Sequence, residues 1–277
     1  MSRRMVFTNL AAESIIIGVI KISVITPSYN QAKYIGATID SVQSQRGDFE
    51  LEHIVVDGGS TDGTLDILKS YGSAVRWVSE KDEGQADALN KGLAMAGGDI
   101  IGWVNSDDLY EPGALDAAAK VFAAGADVQW VYGKVKIVDD RGVEIRRWIT
   151  RYKNMRMRRY SYAKLLAENW ISQMGVFWRV SAGREVGAFR KDLHYCMDYN
   201  FWLRLGARWP GHFIDRYLAA FRWYPSSKSG AGFGKQFREE LDVATEIAAG
   251  RYPLAIFKHR INAAKIVAAY NVMQWLR

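Results

Sequence analysis

The sequence predicts an α/β fold: a mainly parallel sheet flanked by helices, followed by a helical C-terminal extension. From Lys21 to about Ala126, short apolar runs alternate with helical stretches, the pattern of repeated βαβ units. The runs are nearly continuous in Ile and Val instead of alternating with polar residues, as expected for strands covered on both faces. At 277 residues and 49% hydrophobic, the chain has enough apolar surface for a substantial core.

The first strand is expected in IKISVITPSYN, ending near Pro27, and the following helix in AKYIGATIDSVQSQ, where Tyr34, Ile35, Ile39 and Val42 fall at helical spacing. LEHIVVDGGSTDGTLDILKSYG repeats the theme, with a strand through Val56, a turn and a helix. A third strand in AVRWVSEKDEG leads to the helix QADALNKGLAMA, which Gly97 and Gly98 stop. A fourth strand, DIIGWVNSDD, runs into two adjacent carboxylates, Asp107 and Asp108. Beyond Asp127 the text is less regular: a strand-like VQWVYGKVKIVD, a basic segment, LHYCMDYNFWLRL, FRWYPSSKS and one or two final helices.

Each early strand ends in polar residues: Thr26 to Asn30, Asp57 to Asp62, Glu80 to Gln85, and Asn105 to Asp108. Ligands of open α/β sheets bind outside the carboxyl ends of the strands, so these endings mark one candidate site. Two readings of Asp107 and Asp108 stand. They could start a helix, since Asp is a favoured N-cap, or their mutual repulsion could be relieved by a divalent cation shared with substrate phosphates. Asp57 is either part of a turn or an acceptor for a base or ribose. Asp198 is either paired with Arg204 or tuned for proton transfer. The SSKS stretch, with Lys228, is a polar loop or a set of donors to a diphosphate. His53, His194, His212 and His259 show no ligand spacing.

The segments ISVITPSYNQAKYIGATIDSVQSQ, HIVVDGGSTDGT, SEKDEGQADALNKG, GWVNSDD, WISQMGVFWRV, LHYCMDYNFWLRL and FRWYPSSKS together resemble, in order and spacing, the family 2 inverting glycosyltransferases with the GT-A fold, over roughly residues 20 to 230. The resemblance implies one GT-A domain over residues 1–230. Its nucleotide-binding half covers about 20–126 and its acceptor half about 127–230, with a basic amphipathic extension at 231–277. It implies a nucleotide-diphosphate-sugar donor held by Thr26, Pro27, Ser28, Tyr29 and Asp57, with Asp82, Gly84 and Gln85 nearby. Asp107 would face ribose or metal, and Asp108 would hold Mn²⁺ or Mg²⁺ against the diphosphate. Asp198 would be the catalytic base, Trp170 and Gln173 would line the acceptor side, and Arg222 and Lys228 would steady the leaving nucleoside diphosphate. The acceptor would be a saccharide or a polyprenyl-linked saccharide of bacterial surface polysaccharide synthesis. Asn105, Asn200 and Tyr224 depart from the Asp, Asp and His frequent at these places, and the missing His removes one metal ligand. A sugar nucleotidyltransferase is the nearest enzymatic alternative, but TPSYNQAKY lacks the Gly-rich basic loop it would need. An inactive surface-binding protein on the same scaffold is the non-enzyme alternative.

The net charge of +7 is uneven. Residues 145–167 hold eight Lys or Arg and residues 247–277 five more, with no acid in either, while the rest of the chain is net acidic. These segments are either a solvated face and a packed terminal helix, or an attachment to an anionic membrane surface, where each basic residue contributes about 1 kcal/mol. No nucleic-acid-reading motif accompanies the charge. The single cysteine, Cys196, excludes an internal disulfide framework and fits a reducing compartment. Glu13 and Lys21 flank the apolar run near the N-terminus, and no run reaches the roughly 20 residues of a membrane span. The expectation is a cytoplasmic protein, peripheral at the inner face of the cell membrane.

Overall fold

A computed structural model describes residues 19–224 and 233–275. The chain runs β1 (Ile20–Ser28), α1 (Ile35–Gln43), β2 (Phe49–Asp57), α2 (Thr64–Ser70), β3 (Arg76–Ser79), α3 (Gln85–Met95), β4 (Ile100–Trp103), β5 (Leu109–Tyr110) and α4 (Ala114–Ala124). It continues through β6 (Trp130–Val138), α5 (Arg147–Met157), α6 (Tyr162–Ala167), β7 (Val176–Arg179), α7 (Val180–Val186), α8 (Met197–Gly206) and β8 (His212–Arg222), and the described part closes with α9 (Phe233–Ala248) and α10 (Pro253–Trp275).

One eight-stranded sheet has the order β3-β2-β1-β4-β7-β6-β8-β5. The first four strands are parallel, as the βαβ pattern predicts. From β7 onward the sheet is mixed: β7 is antiparallel to both β4 and β6, β8 is parallel to β6, and β5 is antiparallel to β8. Successive strand residues face opposite sides. Ile22 and Val24 therefore join an aliphatic cluster with Leu115 and Phe122, whereas Ile25 and Trp103 join a larger cluster on the other face. Four further fully buried tryptophans, Trp130, Trp170, Trp178 and Trp202, dominate that second cluster, with Trp178 and Trp202 edge to face at 5.5 Å. Each such side chain removes 150–250 Å² of mostly apolar surface from water, roughly 4 kcal/mol or more.

Helix α3 can sit low on the sheet because Gly92 faces it; a Cβ there would come within 2.5 Å of Ile25. The helix reading of Asp107 and Asp108 is corrected: α4 begins later, at Ala114, with Gly113 as its N-cap in the left-handed region. The carboxylates instead precede the two-residue strand β5. The expected basic amphipathic face at the C-terminus also differs. Along α10, Ala255 and His259 point inward, but Leu254, Phe257 and Ile261 are exposed beside Lys258 and Arg260. Apolar groups therefore lie on both sides of this helix, and the amphipathic element is α9, which packs Val243, Ala244 and Ala248 into the core. Helix α9 contacts α8 and α6, and α10 contacts α6 and α9. No helix among the described residues is long and apolar enough to cross a membrane.

Candidate active site

The loops after β1 and β2 are knitted together by polar side chains. Gly58 N donates to Ser28 O at 2.8 Å, Asn30 N donates to Ser60 Oγ at 2.7 Å, and Thr61 N donates to Asn30 Oδ1 at 2.9 Å. Asp57 is the anchor. Its Oδ2 accepts from Gly59 N, Ser60 N and Ser79 Oγ, and its Oδ1 from Ser60 Oγ. An ionised carboxylate has about four acceptor positions, so this fully buried group is spent on the turn. Thr26 likewise turns inward, its hydroxyl 3.0 Å from the Nε2 of buried His53. Burial pushes the His53 pKa down to about 3, keeping the ring neutral. Pro27 and Ser28 are buried under the rim, and the Ser28 hydroxyl has no partner among the described residues. Tyr29, 62% exposed, is the member of this group that presents a side chain to solvent.

Asp82 leans over the same edge. A Cβ on Gly58 would fall 2.7 Å from Asp82 Oδ2, so glycine at 58 permits the approach. Gly84 N donates to Asp82 Oδ1 at 2.8 Å, and Gly84, with φ of +102°, caps α3 in a conformation that favours glycine. Gln85, first residue of α3, donates to Asn105 Oδ1 at 2.8 Å.

Asn105 is a four-way node. Its Oδ1 also accepts from the Trp103 indole, and its Nδ2 donates to Asp108 Oδ2 at 3.0 Å and Gln173 Oε1 at 3.1 Å. Gln173 Nε2 returns to Trp103 O at 2.6 Å. Where the family frequently has Asp, an amide here supplies two donors to two acceptors, which a carboxylate could not do.

The paired carboxylates differ sharply. Asp108 is fully buried, with Oδ1 accepting from Arg222 N at 2.8 Å and Oδ2 from Asn105. Burial first, and the charge of Asp107 second, push its pKa well above the ordinary range. Asp107 is half-buried; its Oδ2 accepts from the Tyr224 hydroxyl at 2.8 Å, and burial raises its pKa. Asp107 is thus the more exposed of the two carboxylates, and Asp108 is a buried bracket joining β8 to the loop. Arg222 Nη1 donates to Asp107 O at 2.8 Å and its guanidinium lies 4.6 Å over the Tyr34 ring, while its buried Nε has no partner among the described residues. Among the described residues no three His, Cys, Asp or Glu side chains gather as a complete metal cage. A hard divalent cation commonly keeps water and takes ligands from substrate phosphate, so the adjacent carboxylates Asp107 and Asp108 could hold one without a complete protein cage.

On the far side, Asp198 lies in the first turn of α8, and its Oδ1 accepts from Tyr199 N at 2.7 Å. The positive end of the helix dipole favours an anion there. Pairing with Arg204 is not what the structure has: Arg204 Nε donates to Asn200 Oδ1 at 2.9 Å, and its other nitrogens donate to the carbonyls of Val186, Gly187 and Ala188. Trp170 is buried against Tyr132 in the aromatic core. Gln173, also buried, serves the Asn105 node. Lys228 lies outside the described residues.

The 168–173 stretch ties the two sides together. Asn169 Nδ2 donates to Glu240 Oε1 at 3.1 Å, Glu240 interacts electrostatically with Asp198, and Gln173 reaches Asn105. Four residues span at most about 14 Å even when fully extended. Glu239, Glu240 and Lys153 were not singled out as site residues by sequence reasoning. A signal was present for Glu240, which falls on the apolar stripe of α9 with Val243, Ala244 and Ile247.

The family model described as Glycosyl transferase family 2 matches residues 23–191. The chain belongs to this family. A PGL/p-HBAD biosynthesis glycosyltransferase of Mycobacterium bovis is 31% identical over 266 residues, covering 92% of this chain and 97% of that protein. A glycosyltransferase of Rickettsia felis is 26% identical over 80% of this chain, which spans 37% of that relative's length. Among solved structures, S. aureus TarS 1–349 in complex with UDP-GlcNAc aligns at a TM-score of 0.65 with 22% identity, covering 82% of this chain and 66% of that one. The mannosyltransferase PcManGT of Pyrobaculum calidifontis, with GDP-Man and Mn²⁺, aligns at 0.61 with 19% identity, covering 93% and 81%. The GT-A fold is common to this family 2 chain and these neighbours.

Proposed function

We propose that this family 2 glycosyltransferase moves a sugar, with inversion, from a nucleoside-diphosphate donor to a saccharide or lipid-linked saccharide of a surface polysaccharide or glycolipid. The observation that supports the reading is that stretch 168–173 is hydrogen-bonded both to Asn105, in the loop that carries Asp107, and to Glu240, which interacts electrostatically with Asp198 on α8. The donor lies along the rim formed by Tyr29, Asp82, Gly84 and Gln85, with its diphosphate toward Asp107. Mn²⁺ or Mg²⁺ bound at Asp107 supplies neutralisation of charge on the diphosphate. Lys228 is assigned to the same diphosphate on its sequence motif. Binding of nucleotide sugars by TarS and PcManGT supports the donor class.

Asp198 takes the proton of an acceptor hydroxyl as that oxygen bonds to the anomeric carbon from the face opposite the diphosphate. The anomeric carbon–oxygen bond to the diphosphate breaks, the electron pair leaves with the nucleoside diphosphate, and the configuration inverts. General-base catalysis is worth about 100- to 10,000-fold. Asp198→Asn is therefore expected to abolish sugar transfer while keeping nucleoside-diphosphate affinity, measured by product release and calorimetry. Equal loss of transfer and binding, or retained transfer, contradicts the assignment.

The acceptor is assigned to a membrane surface. Trp148, Tyr152 and Met155 are exposed at helical spacing on α5 beside exposed Arg151, Arg158 and Arg159, a combination suited to anionic lipid headgroups. Co-sedimentation with anionic but not neutral vesicles, lost at high salt, is the expected result; no association at low salt removes this part of the reading.

A further inference from the structure

Helix α9 brings two consecutive carboxylates to the part of the chain that presents Asp198. Glu239 Oε1 accepts from Tyr195 N at 2.7 Å, Cys196 N at 2.9 Å and the Cys196 thiol at 3.2 Å, and its Oε2 accepts from His194 N at 3.2 Å. These amides enter α8, whose N-cap is Cys196, two residues before Asp198. Burial works against the charge of Glu239, but these donors more than offset it and hold the carboxyl below its usual range. A side chain from a segment more than forty residues away thus fixes the turn on which Asp198 stands.

Glu240 points the other way, into the core, and is 3% exposed. Its Oε1 accepts from Asn169 Nδ2 and from Gln236 Nε2. Asp198 of α8 and Lys153 of α5 face it electrostatically, Glu168 adds to the field on Lys153, and the Tyr199 hydroxyl and Cys196 thiol lie within the field of Glu240. A glutamine would accept the same two hydrogen bonds without a buried charge, so the hydrogen bonds alone do not call for a carboxylate. Burying an ionisable group is costly and marks candidate functional sites when specific charge partners accompany it.

We propose that α9 completes the reaction centre: Glu239 fixes the turn that presents Asp198, and Glu240, balanced by Lys153, is a positioning residue whose charge strengthens Asp198 as a proton acceptor. Burial raises Glu240 to about 7, with Asp198 raising it further and Lys153 opposing. Ionisation of Glu240 near neutrality therefore adds negative charge within the electrostatic reach of Asp198 at the pH where the acceptor proton must be taken. The functional part of this proposal rests on Asp198 being the base.

The test is a carboxyl ¹³C NMR titration of the full chain, which needs neither donor nor acceptor. Glu240 is expected to titrate well above the ordinary glutamate range. Its midpoint should fall by about half a pH unit or more in Asp198→Asn and rise in Lys153→Met, because a like charge disfavours ionisation and an opposite charge favours it. In the transfer assay, Glu240→Gln is expected to remove the limb near neutral pH and lower kcat about tenfold at pH 8, with donor KM unchanged. A purely structural Glu240 would leave the shape of that profile intact. A Glu240 midpoint in the ordinary range, or one that ignores Asp198→Asn, overturns the proposal even if Lys153→Met does not fold. Retained transfer by Asp198→Asn would instead overturn the base assignment and leave the titration result standing.

Discussion

The two halves of the sheet use carboxylates in opposite ways. Around β1, β2 and β4, Asp57 and Asp108 are buried and spend their oxygens on backbone and side-chain donors, leaving Asp107 and Asp82 nearer the opening. Around α8, Glu240 of α9 is buried and interacts electrostatically with Asp198 and Lys153, and burial raises it toward neutrality. In the proposed reaction the first half would set geometry and the second proton affinity: locked loops on the donor side and interacting charges on the acceptor side would suit a displacement in which one partner is clamped and the other deprotonated.

The largest effect that would sharpen this contrast is at Asp198. Asp198→Asn should reduce transfer about 1000-fold, whereas Asp107→Asn should act on binding, a difference read by comparing turnover with calorimetry. If both variants lose donor affinity alike, the contrast breaks. Next is Trp170, whose place in the aromatic core predicts that Trp170→Ala costs about 3 to 5 kcal/mol of stability, seen in denaturant unfolding. An acceptor-lining residue would instead leave stability near wild type and raise acceptor KM. Asp107→Asn should weaken Mn²⁺-dependent nucleoside-diphosphate binding by about 100-fold, with little change in metal-free binding.

The halves should also respond to pH in opposite directions. His53, lowered to about 3 from 6.5, contributes stability that is full above pH 6.5 and is lost as pH falls toward 3. Glu240, raised from 4.5 to about 7, contributes stability that is full below pH 4.5 and is lost as pH rises through 7. Each contribution changes by about 1.4 kcal/mol per pH unit within its window. Melting curves of His53→Gln should flatten only on the acid side and those of Glu240→Gln only toward neutral pH. The smallest expected effect is Trp148→Ala on exposed α5, within about 0.5 kcal/mol, with any loss appearing in vesicle association.

The strands β1 to β4 were legible because apolar runs bounded by turn residues leave little choice of element. The two-residue β5 was not, since its pairing with β8 joins residues more than a hundred positions apart. For the site, strand-end position told where Asp57 and Asp108 lie but not which way their oxygens are committed; that depends on amides and hydroxyls supplied by neighbouring loops. Trp170 was placed on the acceptor side by the family resemblance alone, and its burial beside Tyr132 was not legible because sequence does not distinguish a core indole from an exposed one. Glu240 was visible as a carboxylate on an apolar stripe, yet its partners Asn169, Lys153 and Asp198 come from three other segments.

The central claim is that Asp107, at the opening of the sheet's carboxyl edge, meets a cation and through it a diphosphate. Anomalous diffraction from crystals grown with Mn²⁺ and a nucleoside diphosphate tests it most directly. The account predicts a manganese peak in direct coordination with an Asp107 oxygen and a phosphate oxygen, with Asp108 still bonded to Arg222 N and Asn105. A metal bound elsewhere, or a diphosphate seated away from Asp107, would contradict it.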